Sequence, residues 1–175
     1  DITVTGGSLD SFLAISTRKY TATLTPSGDG EITINVAAGS FTDATGNSNL
    51  AVTQFNWTFD SIAPTMTLMY WAGADGGAIF DSVTTNDATL TLSLTPSEPT
   101  ADFSAGDITV IGGAISEFNW SGVAYYATLT AFAAGVVTID VAAGTFTDAA
   151  GNNNIATAPF SWTYDAIPTM IITAT

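Results

Sequence analysis

The sequence predicts an all-β chain built as tandem antiparallel β-sandwiches. Three observations lead there. Strict apolar–polar alternation recurs in short stretches, as in Thr89-Leu-Thr-Leu-Ser-Leu-Thr95, and no long window keeps a helical period. Turn signals rich in Gly, Pro and Asn separate these stretches. The chain also repeats itself. Val36-Ala-Ala-Gly-Ser-Phe-Thr-Asp-Ala-Thr-Gly-Asn-Ser-Asn49 returns as Val141-Ala-Ala-Gly-Thr-Phe-Thr-Asp-Ala-Ala-Gly-Asn-Asn-Asn154, changed only at Ser40/Thr145, Thr45/Ala150 and Ser48/Asn153.

The repeat extends well beyond that loop. Asp1-Ile-Thr-Val-Thr-Gly-Gly7 matches Asp107-Ile-Thr-Val-Ile-Gly-Gly113, and Phe55-Asn-Trp-Thr-Phe-Asp60 matches Phe160-Ser-Trp-Thr-Tyr-Asp165. The spacing is about 105 residues, the size of one sandwich domain and too long for a solenoid repeat. In this frame 1–62 is the C-terminal part of one module and 63–166 a complete module. Residues 167–175 begin the first strand of a following one, because Pro168-Thr-Met repeats Pro64-Thr-Met. The chain reads as a window on a longer array.

The complete module carries seven expected strands, at 65–71, 88–95, 107–111, 115–120, 124–131, 136–142 and 156–165. Leu90, Leu92 and Leu94 lie on one face of the second, and Val137, Ile139 and Val141 on one face of the sixth. Phe160, Trp162 and Tyr164 do the same in the seventh, and the matching Trp57 is expected in a core as well. The fifth, with Tyr126 and Leu129 as its inward residues, needs a bulge or change of register. About seven short strands in roughly a hundred residues describe an immunoglobulin-like sandwich.

Composition excludes several functions. The chain has no Cys and no His, which removes disulfides, thiol chemistry, the commonest general base and the commonest transition-metal ligand. Sixteen acidic residues face only Arg18 and Lys19, for a net charge of −14. That balance offers no footprint for nucleic acid, and an anionic membrane surface repels it. No apolar run is long enough for a membrane-spanning helix, so no membrane insertion is expected. Salt or bound divalent cations would relieve the self-repulsion, which suits an extracellular or cell-surface setting.

With the strands in order, the run Ser97-Glu-Pro99, Phe103-Ser-Ala-Gly-Asp-Ile-Thr-Val-Ile-Gly-Gly113, Val141-Ala-Ala-Gly-Thr-Phe-Thr-Asp-Ala-Ala-Gly-Asn152 and Asp165-Ala-Ile-Pro168 resembles the bacterial Ig-like repeat domains. Such modules occur in tandem in large secreted and surface proteins, including adhesins. The resemblance implies spacers, stalks or adhesive scaffolds rather than enzymes. Neighbouring modules, or identical subunits in a fibre, would be the partners, with surface glycans a further class.

Strand alternation places the 142–155 loop and the 96–106 connection at the end where the chain enters the module, beside the linker. There the sequence offers Asp60, Glu98, Asp102 and Asp148 as carboxylates and Asn152 as a carbonyl donor, an oxygen set suited to Ca²⁺. The spacing is not that of an EF-hand, and the same Asp, Gly and Asn residues also make an ordinary tight turn. Both readings stand at this point. The linkers Asp60-Ser-Ile-Ala-Pro64 and Asp165-Ala-Ile-Pro168 are short and proline-fixed, so a stiff joint is expected. Trp71 and Trp120, at strand ends, would form a sugar-stacking face if exposed together. Asn56-Trp-Thr58 and Asn119-Trp-Ser121 fit the N-glycosylation pattern, though at non-matching places in the two repeats.

Overall fold

The computed structural model describes residues 1–72, 76–100 and 102–166. The chain divides after Ile62 into two compact units. The turn expected at 73–77 falls partly, and the strand expected at 167–175 wholly, outside the described residues.

The first unit holds β1 (Ile2–Thr5), β2 (Gly7–Ser16), β3 (Lys19–Pro26), β4 (Gly30–Val36) and β5 (Phe55–Phe59). β1, β4 and β5 form one antiparallel sheet, with β4 in the middle, while β2 and β3 form a separate hairpin. Its only fully buried large apolar side chain is Ile32, on the central strand, among the described residues.

The second unit holds β6 (Met66–Ala72), β7 (Val83–Thr85), β8 (Thr89–Pro96), β9 (Ile108–Ile111), β10 (Gly113–Trp120), β11 (Tyr125–Ala131), β12 (Gly135–Val141) and β13 (Phe160–Tyr164). One sheet runs β10-β11-β8-β6 and the other β7-β13-β12-β9. This is the immunoglobulin-like partition of strands, and the expected all-β sandwich is borne out. The core lies between the sheets. Leu90, Leu92 and Leu94 of β8 meet Val137, Ile139 and Val141 of β12, with Trp162 fully enclosed and Tyr70 stacked on Phe160.

Three details differ from expectation. β7 was not expected; it runs parallel to β13, so the second sheet is mixed. The inward residue of β11 is Tyr125 rather than Tyr126, because β11 alternates without a break from Tyr125 to Ala131. The irregularity sits instead in its partner β10, between Ser116 and Asn119, where Glu117 takes a positive φ of 55°. Finally, Trp57 is 39% exposed although its match Trp162 is at 0%. Among the described residues the first unit has no counterpart of β6 and β8 to cover it.

Crossing from one sheet to the other needs glycine. Gly112 sits at φ 82°, and a Cβ on Gly113 would lie 2.5 Å from the Thr130 carbonyl oxygen. Gly6 and Gly7 repeat this crossing in the first unit, at φ 76° and with a Cβ 2.7 Å from the Thr25 carbonyl.

Candidate functional site

The loop that repeats most closely is organised by its aspartate. Asp148 Oδ1 accepts the backbone N–H groups of Ala150 and Asn152 at 2.8 and 2.9 Å, and Oδ2 accepts the Asn152 side-chain amide at 2.9 Å. Gly151, at φ 92°, turns the chain so that these donors converge. Burial pulls the Asp148 pKa up, and the donors from Asn152, Ala150 and Gly151 more than offset it, leaving the carboxyl below its ordinary value. Asp43 rebuilds the same turn in the first unit. It accepts from the Thr45 and Asn47 backbones, the Thr45 hydroxyl and the Asn47 amide, and its pKa is held well down, chiefly by the Asn47 side chain.

Asn154 closes the loop from inside. Its Oδ1 accepts the N–H groups of Thr145 and Phe146, and its Nδ2 donates to the carbonyls of Ala142 and Ile155. It is one of the buried polar side chains of the unit, with its hydrogen-bonding capacity used in full. Asn49 plays the same part in the first unit, bridging Phe41, Ala37 and Leu50.

The expected cation ligands separate into two groups within the second unit. Glu98 and Asp148 come together, with carboxylate oxygens within 4.8 Å of each other, and an isolated bridge between Thr100 and Asp148 aligns their two loops. Asp102 turns elsewhere. Its carboxylate accepts the Thr147 N–H at 3.0 Å, the Thr147 hydroxyl at 2.8 Å and the Thr100 hydroxyl at 2.9 Å. The Thr147 backbone N–H, first among these, holds its pKa below the ordinary value. Asn152 directs its amide N–H at Asp148. In the first unit, Asp60 Oδ1 accepts the Ile62 N–H at 3.0 Å.

Two further aspartates act as Asp102 does, and sequence reasoning passed over both. Asp81 takes the N–H and hydroxyl of Ser161, fastening the segment before β7 to β13. Asp29 takes the N–H and hydroxyl of Ser61, fastening the turn before β4 to the end of the first unit. No local motif marks either pair, since the partners are 80 and 32 positions apart.

The two tryptophans do not share a platform. Trp71 is on β6 and Trp120 on β10, at opposite edges of a four-stranded sheet. That is three strand spacings, roughly 14 Å. Trp120 packs on Tyr125 at 4.5 Å and is half exposed, while Trp71 is partly buried. Asn56 is exposed and accepts from the Gln54 amide; Asn119 is exposed on β10.

The family model for the bacterial Ig-like domain matches this chain over residues 1–59 and 75–164. The chain belongs to the bacterial Ig-like domain family. A search of curated proteins finds no match. In both units the Ig-like match spans the Asp-Gly-Asn loop, so this loop is part of the module and not an insertion upon it. No helix among the described residues is long and apolar enough to cross a membrane.

Proposed function

We propose that this chain is a structural segment of an extracellular stalk, filament or adhesin, in which successive Ig-like modules space and stiffen the molecule. The role is mechanical and non-enzymatic. Neighbouring modules of the same array, or identical subunits of a fibre, are the partners. The observation that carries this reading is the succession of two Ig-like units with so little free chain between them. Ser61 is fastened to Asp29 within the first unit. Pro64 is fully buried within the second, where its carbonyl accepts the Ile155 N–H. Only Ile62 and Ala63 separate the two anchors, and Pro64 fixes its own φ. A linker of that length has little conformational freedom to lose.

Pulling the chain from its two ends by force spectroscopy tests the mechanical role. The second unit is expected to unfold in one discrete event releasing on the order of 300 Å of contour length, given about 3.3–3.6 Å per extended residue. Smooth extension with no such event would sink the proposal. A calcium contribution rests on Glu98 and Asp148, two hard oxygen donors set close together. Calorimetric titration with Ca²⁺ is expected to give heat, abolished by the Glu98→Gln change; a flat titration removes calcium from the account.

A further inference from the structure

Asn56-Trp-Thr58 and Asn119-Trp-Ser121 share the Asn-x-Ser/Thr form, but the fold sets them differently. Asn119 is exposed on β10, an edge strand of its sheet among the described residues. Only the pair Trp120–Tyr125 lies between Asn119 and the turn at Ser121, where Gly122 takes a φ of 96°. Ser121 is exposed in that turn, its hydroxyl donating to the Ala124 carbonyl at 3.0 Å. Freeing this stretch breaks strand pairing at the hairpin end alone. Asn56 sits in mid-strand. Its neighbours Phe55 and Trp57 pair with Ile34 and Ile32, and Ile32 is fully buried. Peeling β5 away at Asn56 opens that core.

β10 is also shaped at this place. It bulges between Ser116 and Asn119, and Glu117 takes a φ of 55°. The bulge turns Phe118 onto Phe103 and Tyr125, while Glu117 and Asn119 stay exposed. Glu117 accepts the Thr128 hydroxyl at 2.7 Å, and Asn119 Nδ2 donates to the Glu117 carbonyl at 2.8 Å. An acceptor amide and a carboxylate therefore stand beside each other, two positions apart. At Asn56 the residue two positions earlier is the neutral Gln54. The first unit makes the same bulge, with Ser11 at φ 53° and a shift of register between Asp10 and Leu13. Its matching residues are Ser11-Phe-Leu-Ala-Ile15, with neither acid nor acceptor amide. The fold requires the bulge; it does not require the Glu-Phe-Asn-Trp-Ser run laid on it.

We propose that Asn119 is an N-glycosylation acceptor, read together with Glu117 by a transferase that offers the acid a cationic contact. The donor class is an oligosaccharide joined through pyrophosphate to a polyprenyl lipid. Asn119 Nδ2 forms a bond to the sugar C1. The C1–O bond to pyrophosphate breaks, and its electron pair leaves with the lipid pyrophosphate. The amide proton passes to a base of the transferase, and nothing is oxidised or reduced. A glycan here covers the open edge of β10, where another strand could otherwise add. The inference needs export of the chain but not its mechanical role, so the two fail separately.

The test incubates the folded 175-residue chain with a polyprenyl-pyrophosphate oligosaccharide and each of two transferases. One reads Asn-x-Ser/Thr alone; the other also requires an acid two positions earlier. A free acceptor peptide in each mixture reports that the enzyme is active, and intact mass with peptide fragmentation locates the glycan. Both enzymes are expected to modify Asn119 and leave Asn56 bare. Glu117→Gln is expected to slow the acid-requiring enzyme by about tenfold or more, and the other by less than about twofold. Asn119→Gln is expected to abolish the mass increase with both, at an unchanged thermal midpoint. No glycan on Asn119 of the folded chain, or as much on Asn56, would overturn the proposal. So would modification by the first enzyme alone, since Glu117 on its bulge would then go unread.

Discussion

Asp102 holds Thr147 by both its backbone N–H, at 3.0 Å, and its hydroxyl, at 2.8 Å, although the two are 45 positions apart. The clamp ties the connection ahead of β9 to the loop after β12. It thereby pins the connection that crosses from β8 in one sheet to β9 in the other onto the β12–β13 loop. Replacing Asp102 by Ala, or Thr147 by Val, is expected to lower the thermal midpoint by a few degrees. The double change is expected to cost little more than Asp102→Ala alone, because Thr147→Val removes only the hydroxyl bond that the Asp102 change already removes. Calorimetric melting of the four proteins checks this; full additivity would mean the two residues act separately.

The same chemistry sets the response to acid. Asp29, Asp81, Asp102 and Asp148 all have pKa values below the ordinary 3.8, and Asp43 lies lowest. A carboxylate depressed in the folded state stabilises it fully above the unfolded value and ceases to as pH falls through the folded one. Stability is thus expected to hold from neutral pH down to about pH 4. It is then expected to fall progressively at lower pH. Denaturant midpoints measured from pH 7 to pH 2 would show it. A loss of stability centred between pH 5 and 6 would contradict it.

Asn154 is expected to be the costliest polar residue of the loop. Its Ala replacement strands the part-buried Thr145 and the buried Phe146 N–H donors and should destabilise the second unit by about 2–3 kcal/mol. The matching Asn49→Ala change should cost clearly less, because Asn49 is only partly buried and its partners Ala37, Phe41 and Leu50 are exposed. Equal losses in urea unfolding would contradict the account of the buried amide.

Tyr70 is expected to behave in the opposite sense. Its ring stacks on Phe160 at 3.5 Å, but its hydroxyl is buried with no hydrogen-bond partner among the described residues, and burial pushes its pKa up. Tyr70→Phe keeps the packing and removes the stranded hydroxyl. A gain of about 1 kcal/mol is expected. A loss of that size would show that the hydroxyl makes a bond.

What could be read in advance followed local patterns. Leu90, Leu92 and Leu94 announce β8 because period-two alternation is a property of a strand itself. The Asp43 and Asp148 turns were visible because the loop recurs almost unchanged. β7 was not, since Val83–Thr85 is too short for a pattern and is held by β13, far along the chain. The Asp81–Ser161 and Asp102–Thr147 clamps are invisible for the same reason, as nothing near either acid names its partner. The register of β11 is not legible locally because Tyr125 and Tyr126 are identical residues; unbroken pairing with β8, which sets Tyr125 opposite Leu94, turns Tyr125 inward.

Stiffness of the proposed joint can be measured directly because the chain has no cysteine. With no native Cys, Thr23→Cys and Thr109→Cys place one spin label on an exposed strand position of each unit. Pulsed electron paramagnetic resonance then reports the distance distribution between them. A stiff joint is expected to give one narrow distribution that broadens when four glycines are inserted between Ile62 and Ala63. A broad distribution in the uninserted chain, unchanged by the glycines, would contradict it.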